Sequence, residues 1–320
     1  MKHNYVEMIR DANVYDVARK TPLDFANLLS QRLNNQIWLK REDMQSVFSY
    51  KIRGAYNLMS SLTAVELAAG VVAASAGNHA QGVALSARKL RTKAIIVMPK
   101  TTPSIKIDAV FRLGGEVVLH GNSYDDASEY AKSLASERTL TFIPPYDHPL
   151  VIAGQGTVGL EILEQANSEI DAIFVPVGGG GLVSGIGAYI KEVSPTIKLI
   201  GVEPAEAASM TAALDSGKRV SLEEIGIFAD GAAVRQVGKE NFLLAQRHVD
   251  EMLTVTIDEI CAAVKDIFED TRSIAEPAGA LSLAGVKQYI SKYQIKEKHF
   301  VSVLSGANVN FDRLRHIAEL

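Results

Sequence analysis

One cysteine, Cys261, stands in 320 residues. A lone cysteine excludes an internal disulfide and any cysteine-rich zinc site. Seven histidines contain no His-x-x-x-His pair, which removes the usual helical metal cage as well. No stretch of about 18 uninterrupted apolar residues occurs, so no membrane-spanning helix is expected, and Met1 to Glu7 carry no apolar signal core. Lys and Arg number 33 against 37 Asp and Glu, scattered without a basic tract, for a formal net charge of -4. Nucleic acid and anionic membranes therefore have no electrostatic footprint on this chain. There is no G-x-G-x-x-G through residues 178–187 and no G-K-[ST], the two usual nucleotide fingerprints. Repeats of solenoid period and low-complexity tracts are missing too. What these absences leave is a cytoplasmic globular protein whose partner is a small molecule.

At 47% hydrophobic and 22% charged residues, the chain buries a core large enough for two lobes. Residue spacing predicts a helix over 23–33, a strand over 37–40, helices over 54–62 and 63–69, a strand over 71–74 and a helix over 79–90. Strand and helix then alternate as 94–98 with 103–113, and 116–120 with 124–137, before a strand near 141–143. Such alternation implies a parallel sheet. Three prolines in Pro144-Pro145-Tyr146-Asp147-His148-Pro149 mark a lobe boundary. Beyond it a helix over 160–165, a strand over 172–177, a helix over 182–193 and a strand over 198–202 begin a second sheet. Helices near 207–216, 239–249, 258–271 and 277–292 follow, then a strand over 300–304 and a short last helix. The class is α/β, with two lobes that each hold a twisted, mostly parallel sheet flanked by helices.

Four short stretches carry candidate chemistry. In Val47-Phe48-Ser49-Tyr50-Lys51-Ile52-Arg53-Gly54-Ala55, a lysine partly buried beside aromatic and cationic neighbours loses proton affinity and becomes able to form a Schiff base. The alternative is an ordinary surface lysine. Gly178, Gly179, Gly180 and Gly181, between an apolar strand and an apolar helix, leave backbone N–H groups free at a helix N-terminus, a nest suited to a monophosphate. The alternative there is a flexible turn. Ser75-Ala76-Gly77-Asn78-His79 is a second strand-to-helix turn, small enough for a carboxylate to approach its N–H groups, and the Asn78 amide can donate to a phenolate or carboxylate or simply cap the helix. Ser305-Gly306-Ala307-Asn308 is a third turn after a strand. In an open α/β sheet, ligands collect beyond the carboxyl ends of strands, where all three turns could meet.

Taken in order, Ser49 to Ala55, Ser75 to Gly82, Gly178 to Leu182 and Ser305 to Asn308 closely resemble the pyridoxal-phosphate-dependent threonine dehydratases. Arg41-Glu42-Asp43, Ile152-Ala153-Gly154-Gln155-Gly156-Thr157 and Ala275-Glu276-Pro277 match the same family, so the resemblance covers nearly the whole chain. It implies the fold-type II, tryptophan-synthase-β-like architecture, most like the catalytic part of the biosynthetic type. Residues 1–51 and 146–320 would form a large cofactor-binding domain and 52–145 a small domain inserted in it. Pyridoxal 5'-phosphate is the implied cofactor. Lys51 would be the Schiff-base lysine with Tyr50 packed beside it. Asn78 would partner the ring hydroxyl, Gly178 to Gly181 with Leu182 would form the phosphate loop, and Ser305 would partner the ring nitrogen. Ser75 and the backbone of Ala76, Gly77, Asn78 and His79 would hold the substrate carboxylate.

The implied reaction is dehydration and deamination of L-threonine to 2-oxobutanoate and ammonia, the first step towards isoleucine, with L-serine slower. The alternatives are a serine dehydratase or racemase and, in another class, a non-catalytic α/β ligand-binding protein. A homo-oligomer, dimer or tetramer, is expected. The sequence departs from the family at Tyr50, where Phe is usual. Ala76 replaces the second serine of the racemases, so D-amino acids are not expected. Glu203 has Ser209 six residues on where the racemases' metal site has Asp, so no metal is expected. After Arg315 only a short helix remains where the biosynthetic relatives have an isoleucine-binding domain. Insensitivity to isoleucine is the corresponding expectation.

Overall fold

Alternating and continuous apolar strands build two separate sheets, each covered by helices on both faces. The structure, a computed structural model, describes residues 3–319. Its first elements are α1 (Tyr5–Arg10), β1 (Leu23–Phe25), α2 (Asn27–Leu33), β2 (Gln36–Arg41), α3 (Lys51–Met59) and α4 (Ala64–Ala69). There follow β3 (Val71–Ala74), α5 (Asn78–Leu90), β4 (Ala94–Met98), α6 (Ser104–Arg112), β5 (Glu116–Leu119), α7 (Tyr124–Glu137) and β6 (Thr141–Phe142). Next come α8 (Pro149–Gln165), β7 (Ala172–Pro176), α9 (Gly181–Val193), β8 (Lys198–Pro204), α10 (Ser209–Ser216) and α11 (Lys239–His248). The chain closes with β9 (Glu251–Val255), α12 (Ile257–Thr271), α13 (Pro277–Tyr293), β10 (His299–Leu304) and α14 (Arg313–Glu319). Capping boxes at Thr63, Ser123 and Thr256 open α4, α7 and α12, and Pro149 and Pro277 begin α8 and α13, where no N–H is required.

One sheet has four parallel strands in the order β5-β4-β3-β6. The other has six, in the order β1-β2-β10-β7-β8-β9, all parallel except the antiparallel edge strand β1. Helices on both faces explain why central strands such as β4 and β7 are buried at every position. In the six-stranded sheet Ile173 and Val175 pack with α8 and α9, whereas Phe174 faces α12 and α13. In the four-stranded sheet Val71 and Ala73 pack with α3 and α5, and Val72 and Ala74 with α7. Among the described residues, no helix is long and apolar enough to cross a membrane.

Three elements differ from the sequence expectation. Residues 23–33 are not one helix: β1 takes the first three, pairing Leu23 with Lys40 and Phe25 with Trp38, and α2 starts only at Asn27. Ladder hydrogen bonds to β2 outweigh the helical spacing there. The helix expected over 160–165 in fact begins at Pro149. Its glycines are contact points, since a Cβ on Gly154 would lie 2.7 Å from the Arg53 carbonyl and one on Gly185 of α9 2.4 Å from the Ile152 carbonyl. Small residues let α3 and α9 approach α8 at backbone distance. Pro149 thus belongs to the helix, and the connection between β6 and α8 is shorter than the proline run suggests. Finally, β9 is a half-buried edge strand whose Glu-Met-Leu-Thr-Val pattern gave no forecast.

Candidate active site

The stretch that carries Lys51 is fastened to the turn that follows β10. Ala307 N donates to Phe48 O at 2.9 Å, Tyr50 N donates to Ser305 O at 3.2 Å, and Ser49 bridges Gly306. Phe48 adopts φ 56° to make this turn, a left-handed conformation that bulky residues rarely hold. Lys51, the first residue of α3, and Ser305, just past β10, consequently line one crevice. Tyr50, Asn78, Pro176, Gly178, Gly231, Ala232, Glu276 and Ala278 complete it.

Lys51 is partly open to this crevice, and among the described residues its one hydrogen bond goes from Nζ to the Pro145 carbonyl at 3.0 Å. Desolvation by the surrounding protein pushes its amine down to about 8, against the pull of Glu276. The Tyr50 ring centroid lies 5.3 Å from Nζ. Glu276, at the N-terminus of α13, is buried and pushed up to about 7 by desolvation, with Asp230 adding to the rise. Asn78 Nδ2 donates to Glu276 Oε1 at 2.6 Å, and Asn78 Oδ1 accepts from Asn308 Nδ2 at 2.7 Å. Ser305 Oγ is buried and donates to the Ala278 carbonyl at 3.4 Å, a long contact that a better acceptor could replace.

The glycine turn between β7 and α9 is held from outside. Gly179 O accepts from Gly238 N and from Asn241 Nδ2, and a Cβ on Gly179 would fall 2.3 Å from the Tyr146 ring. Gly180 sits at φ 94°, open to glycine with little strain. Among the described residues the N–H groups of Gly178 to Leu182 have no protein acceptor. Free donors at the head of a 13-residue helix suit a phosphate. The Leu182 side chain packs in the core, so this residue offers only its backbone. In the other turn, Gly77 N donates to Ser75 Oγ at 3.2 Å, which leaves the N–H groups of Ala76, Asn78 and His79 for an anion. The His79 ring is buried, driven down to about 3 by desolvation and Lys51; Nε2 therefore carries the proton it donates to the Ile143 carbonyl at 2.9 Å. Its side chain anchors the turn.

Behind Lys51 lies a sealed ionic cluster. Arg53 Nε and Nη2 donate to both Glu42 oxygens at 2.8 Å, and Nη1 and Nη2 reach Glu161 at 2.6 and 2.9 Å. Arg53 Nη1 also donates to Thr157 Oγ1, and Lys40 Nζ donates to Glu161 Oε2 at 2.6 Å, to Thr21 O and to Gln165 Oε1. The Arg41-Glu42-Asp43 and Gly154 to Thr157 motifs are thus parts of the scaffold that locks α3 against β2 and α8.

The crevice gathers Tyr50, Lys51, Asn78, Gly178 and Ser305; Ser75, Ala76, Gly77, His79 and Gly179 to Leu182 do not line it directly. The Gly231-Ala232 turn escaped the sequence reading, which placed Asn308 in a candidate turn and Glu276 in a matching motif but gave neither side chain a role. Glu276 stands just before Pro277, where an acidic residue reads as a helix cap. A second crevice near Trp38 and His299 holds one titratable group, and that histidine is engaged with Ser168. Glu203 is buried and raised to about 7 by desolvation, its oxygens accepting from Met210 N, Thr211 N and Thr211 Oγ1 at the start of α10. A free amine of lowered proton affinity, a nest of N–H donors and a buried hydroxyl together fit a phosphorylated aldehyde such as pyridoxal phosphate.

A family model described as pyridoxal-phosphate dependent enzyme matches residues 14–306. The biosynthetic, chloroplastic threonine dehydratase of Arabidopsis thaliana is 57% identical over 316 residues, 99% of this chain and 53% of that relative. The biosynthetic L-threonine dehydratase of Pasteurella multocida is 55% identical over 315 residues, 98% of this chain and 61% of that relative. The chain therefore spans between half and two thirds of the length of these two. The solved structure of the processed form of threonine deaminase isoform 2 from Solanum lycopersicum superposes with a TM-score of 0.96 at 50% identity, covering 98% of this chain and 92% of that one.

Proposed function

The chain belongs to the pyridoxal-phosphate dependent enzymes, and from that premise we propose that it converts L-threonine into 2-oxobutanoate and ammonia, the first step towards isoleucine, with L-serine a slower substrate. The observation that carries this reading is Lys51, a lysine without an ion pair among the described residues whose amine is pushed down to about 8 by desolvation, in the same crevice as Ser305 and the start of the glycine turn. Pyridoxal phosphate, when bound, supplies an electron sink for the charge left at the substrate Cα. Lys51 Nζ is the attachment point and the base that takes the Cα proton. The N–H groups of Gly178 to Leu182 hold the phosphate, and Asn78 Nδ2 has a second hydrogen available for the ring oxygen. Ser305 Oγ serves the ring nitrogen: a hydroxyl leaves that nitrogen largely unprotonated, which restrains transamination and favours loss of a β-hydroxyl. Ser75 Oγ and the N–H groups of Ala76, Asn78 and His79 hold the substrate carboxylate.

On this reading residues 1–51 with 146–320 are the large domain and 52–145 the small one that closes the crevice. The protein acts as a cytoplasmic homo-oligomer, tested by fractionation and sedimentation. The activity itself is tested by loading purified protein with pyridoxal phosphate and measuring oxoacid from L-threonine and L-serine. One methyl in an apolar pocket is worth about 1–3 kcal/mol, so threonine should lead in kcat/KM by roughly 10- to 200-fold. Serine leading would replace the reading with a serine dehydratase, and no oxoacid from either would overturn it.

A further inference from the structure

Glu276 has no part in the roles assigned above, yet it is the buried acid of the crevice. It immediately precedes α13, which packs on the six-stranded sheet, while its hydrogen-bond partner Asn78 begins α5, which packs on the four-stranded sheet. The orientation of that contact follows from its neighbours. The Val47 carbonyl can only accept, so it fixes the amide of Asn308, whose Nδ2 donates to Val47 O at 2.8 Å and to Asn78 Oδ1 at 2.7 Å. With both Asn308 hydrogens engaged, Asn78 must present its oxygen to Asn308 and its nitrogen to Glu276; reversing Asn78 would set two NH2 groups face to face. The surroundings leave room for this carboxyl and little else. A Cβ on Gly306 would lie 2.5 Å from Glu276 Oε1 and one on Gly231 3.6 Å from it.

Building on the cofactor assignment, we propose that Glu276 is a positioning residue, which reaches across the junction of the two lobes to fix the Asn78 carboxamide and so aims its remaining N–H at the cofactor. A second consequence is electrostatic. The groups facing Glu276 are Lys51 and Tyr50 at the start of α3, Asp230 beside the Gly231-Ala232 turn, and Lys106 of α6, which pairs with Asp230 at 2.6 Å. Lys51 faces Glu276 and the neutral His79. Ionised Glu276 holds the proton on Lys51, so a neutral replacement makes that amine release its proton at lower pH.

The test compares wild type, Glu276→Gln and Glu276→Ala. Pyridoxal phosphate affinity is read from the visible absorption of the bound cofactor, and the rate of its capture by cofactor-free protein is followed from pH 6 to 10. Glutamine keeps an acceptor for Asn78 but removes the charge: affinity should stay within a few-fold, while the capture midpoint falls below the wild-type value near 8. Alanine removes the acceptor, and affinity should drop about tenfold. If Glu276→Ala does not fold, the glutamine midpoint alone decides. Wild-type affinity in the alanine variant, or an unmoved midpoint in the glutamine variant, overturns the proposal. Wild-type protein that captures no pyridoxal phosphate overturns the cofactor assignment as well, which separates the two failures.

Discussion

Lys51 and Arg53 are two residues apart on α3, and their surroundings handle buried charge in opposite ways. Around Arg53 every charge is answered: Glu42, Glu161 and Lys40 are fully enclosed with it, two cations against two carboxylates, and Thr21, Thr157 and Gln165 satisfy the remaining positions. Lys40 shows the result, since burial pulls its amine down while Glu161 beside it opposes the fall. Around Lys51 the partners are incomplete. Among the described residues its amine has a single carbonyl acceptor and the glycine turn has free donors, and the acid that faces it, Glu276, is itself pushed up to about 7. Completed pairing makes a rigid platform, and incomplete pairing on that platform makes a site that a ligand can finish.

Substitutions on the two sides should therefore separate stability from chemistry. The largest effect on activity is expected from Lys51→Ala: loss of about a thousandfold or more in oxoacid formation, with thermal unfolding unchanged within a few degrees. Near-normal turnover would break the contrast. Arg53→Ala should do the reverse, leaving two buried carboxylates short of a partner and lowering stability by about 3–5 kcal/mol in denaturant titration. An unfolding midpoint equal to wild type would mean that the cluster anchors nothing.

Ser305 offers a finer comparison within the crevice. Ser305→Ala removes one neutral hydrogen bond, about 0.5–1.5 kcal/mol, so a several-fold loss of rate is expected. Ser305→Asp should lose far more, because a carboxylate there would stabilise the protonated form of the ring nitrogen and divert the electrons; an active aspartate variant in a steady-state assay would contradict the role given to the hydroxyl. The smallest effect belongs to Tyr50→Phe. Among the described residues the phenol makes no hydrogen bond with the protein, and its ring already packs 5.3 Å from Lys51 Nζ, so kcat should change by less than about twofold.

Which side of this contrast could be read from sequence depended on range. Lys51, Asn78, Gly178 and Ser305 lie in short contiguous motifs, each at the edge of a strand or helix whose apolar pattern is strong. Glu276 lies in the short motif Ala275-Glu276-Pro277, which by itself assigns it no role; its meaning comes from Asn78, 198 positions away in the chain. The same holds for the platform, since Arg53 meets Glu161 across 108 positions and nothing local to either announces the pair. Helix α8 shows the limit from the other side. Gly154 and Gly156 look like helix breakers until α3 and α9 are seen to press against them. Strand β9 and edge strand β1 were lost for a related reason: short edge strands take their identity from the neighbour they pair with, here β8 and β2.

The measurement that bears most directly on the contrast sets the protein's lysines against one another. Protein is mixed with one equivalent of pyridoxal phosphate, freed of excess by gel filtration, reduced with borohydride and digested for mass spectrometry. The account predicts one pyridoxyl label per chain, on Lys51, with Lys40 unlabelled in its sealed cluster. A label on any other lysine, or no visible absorption before reduction, would contradict it.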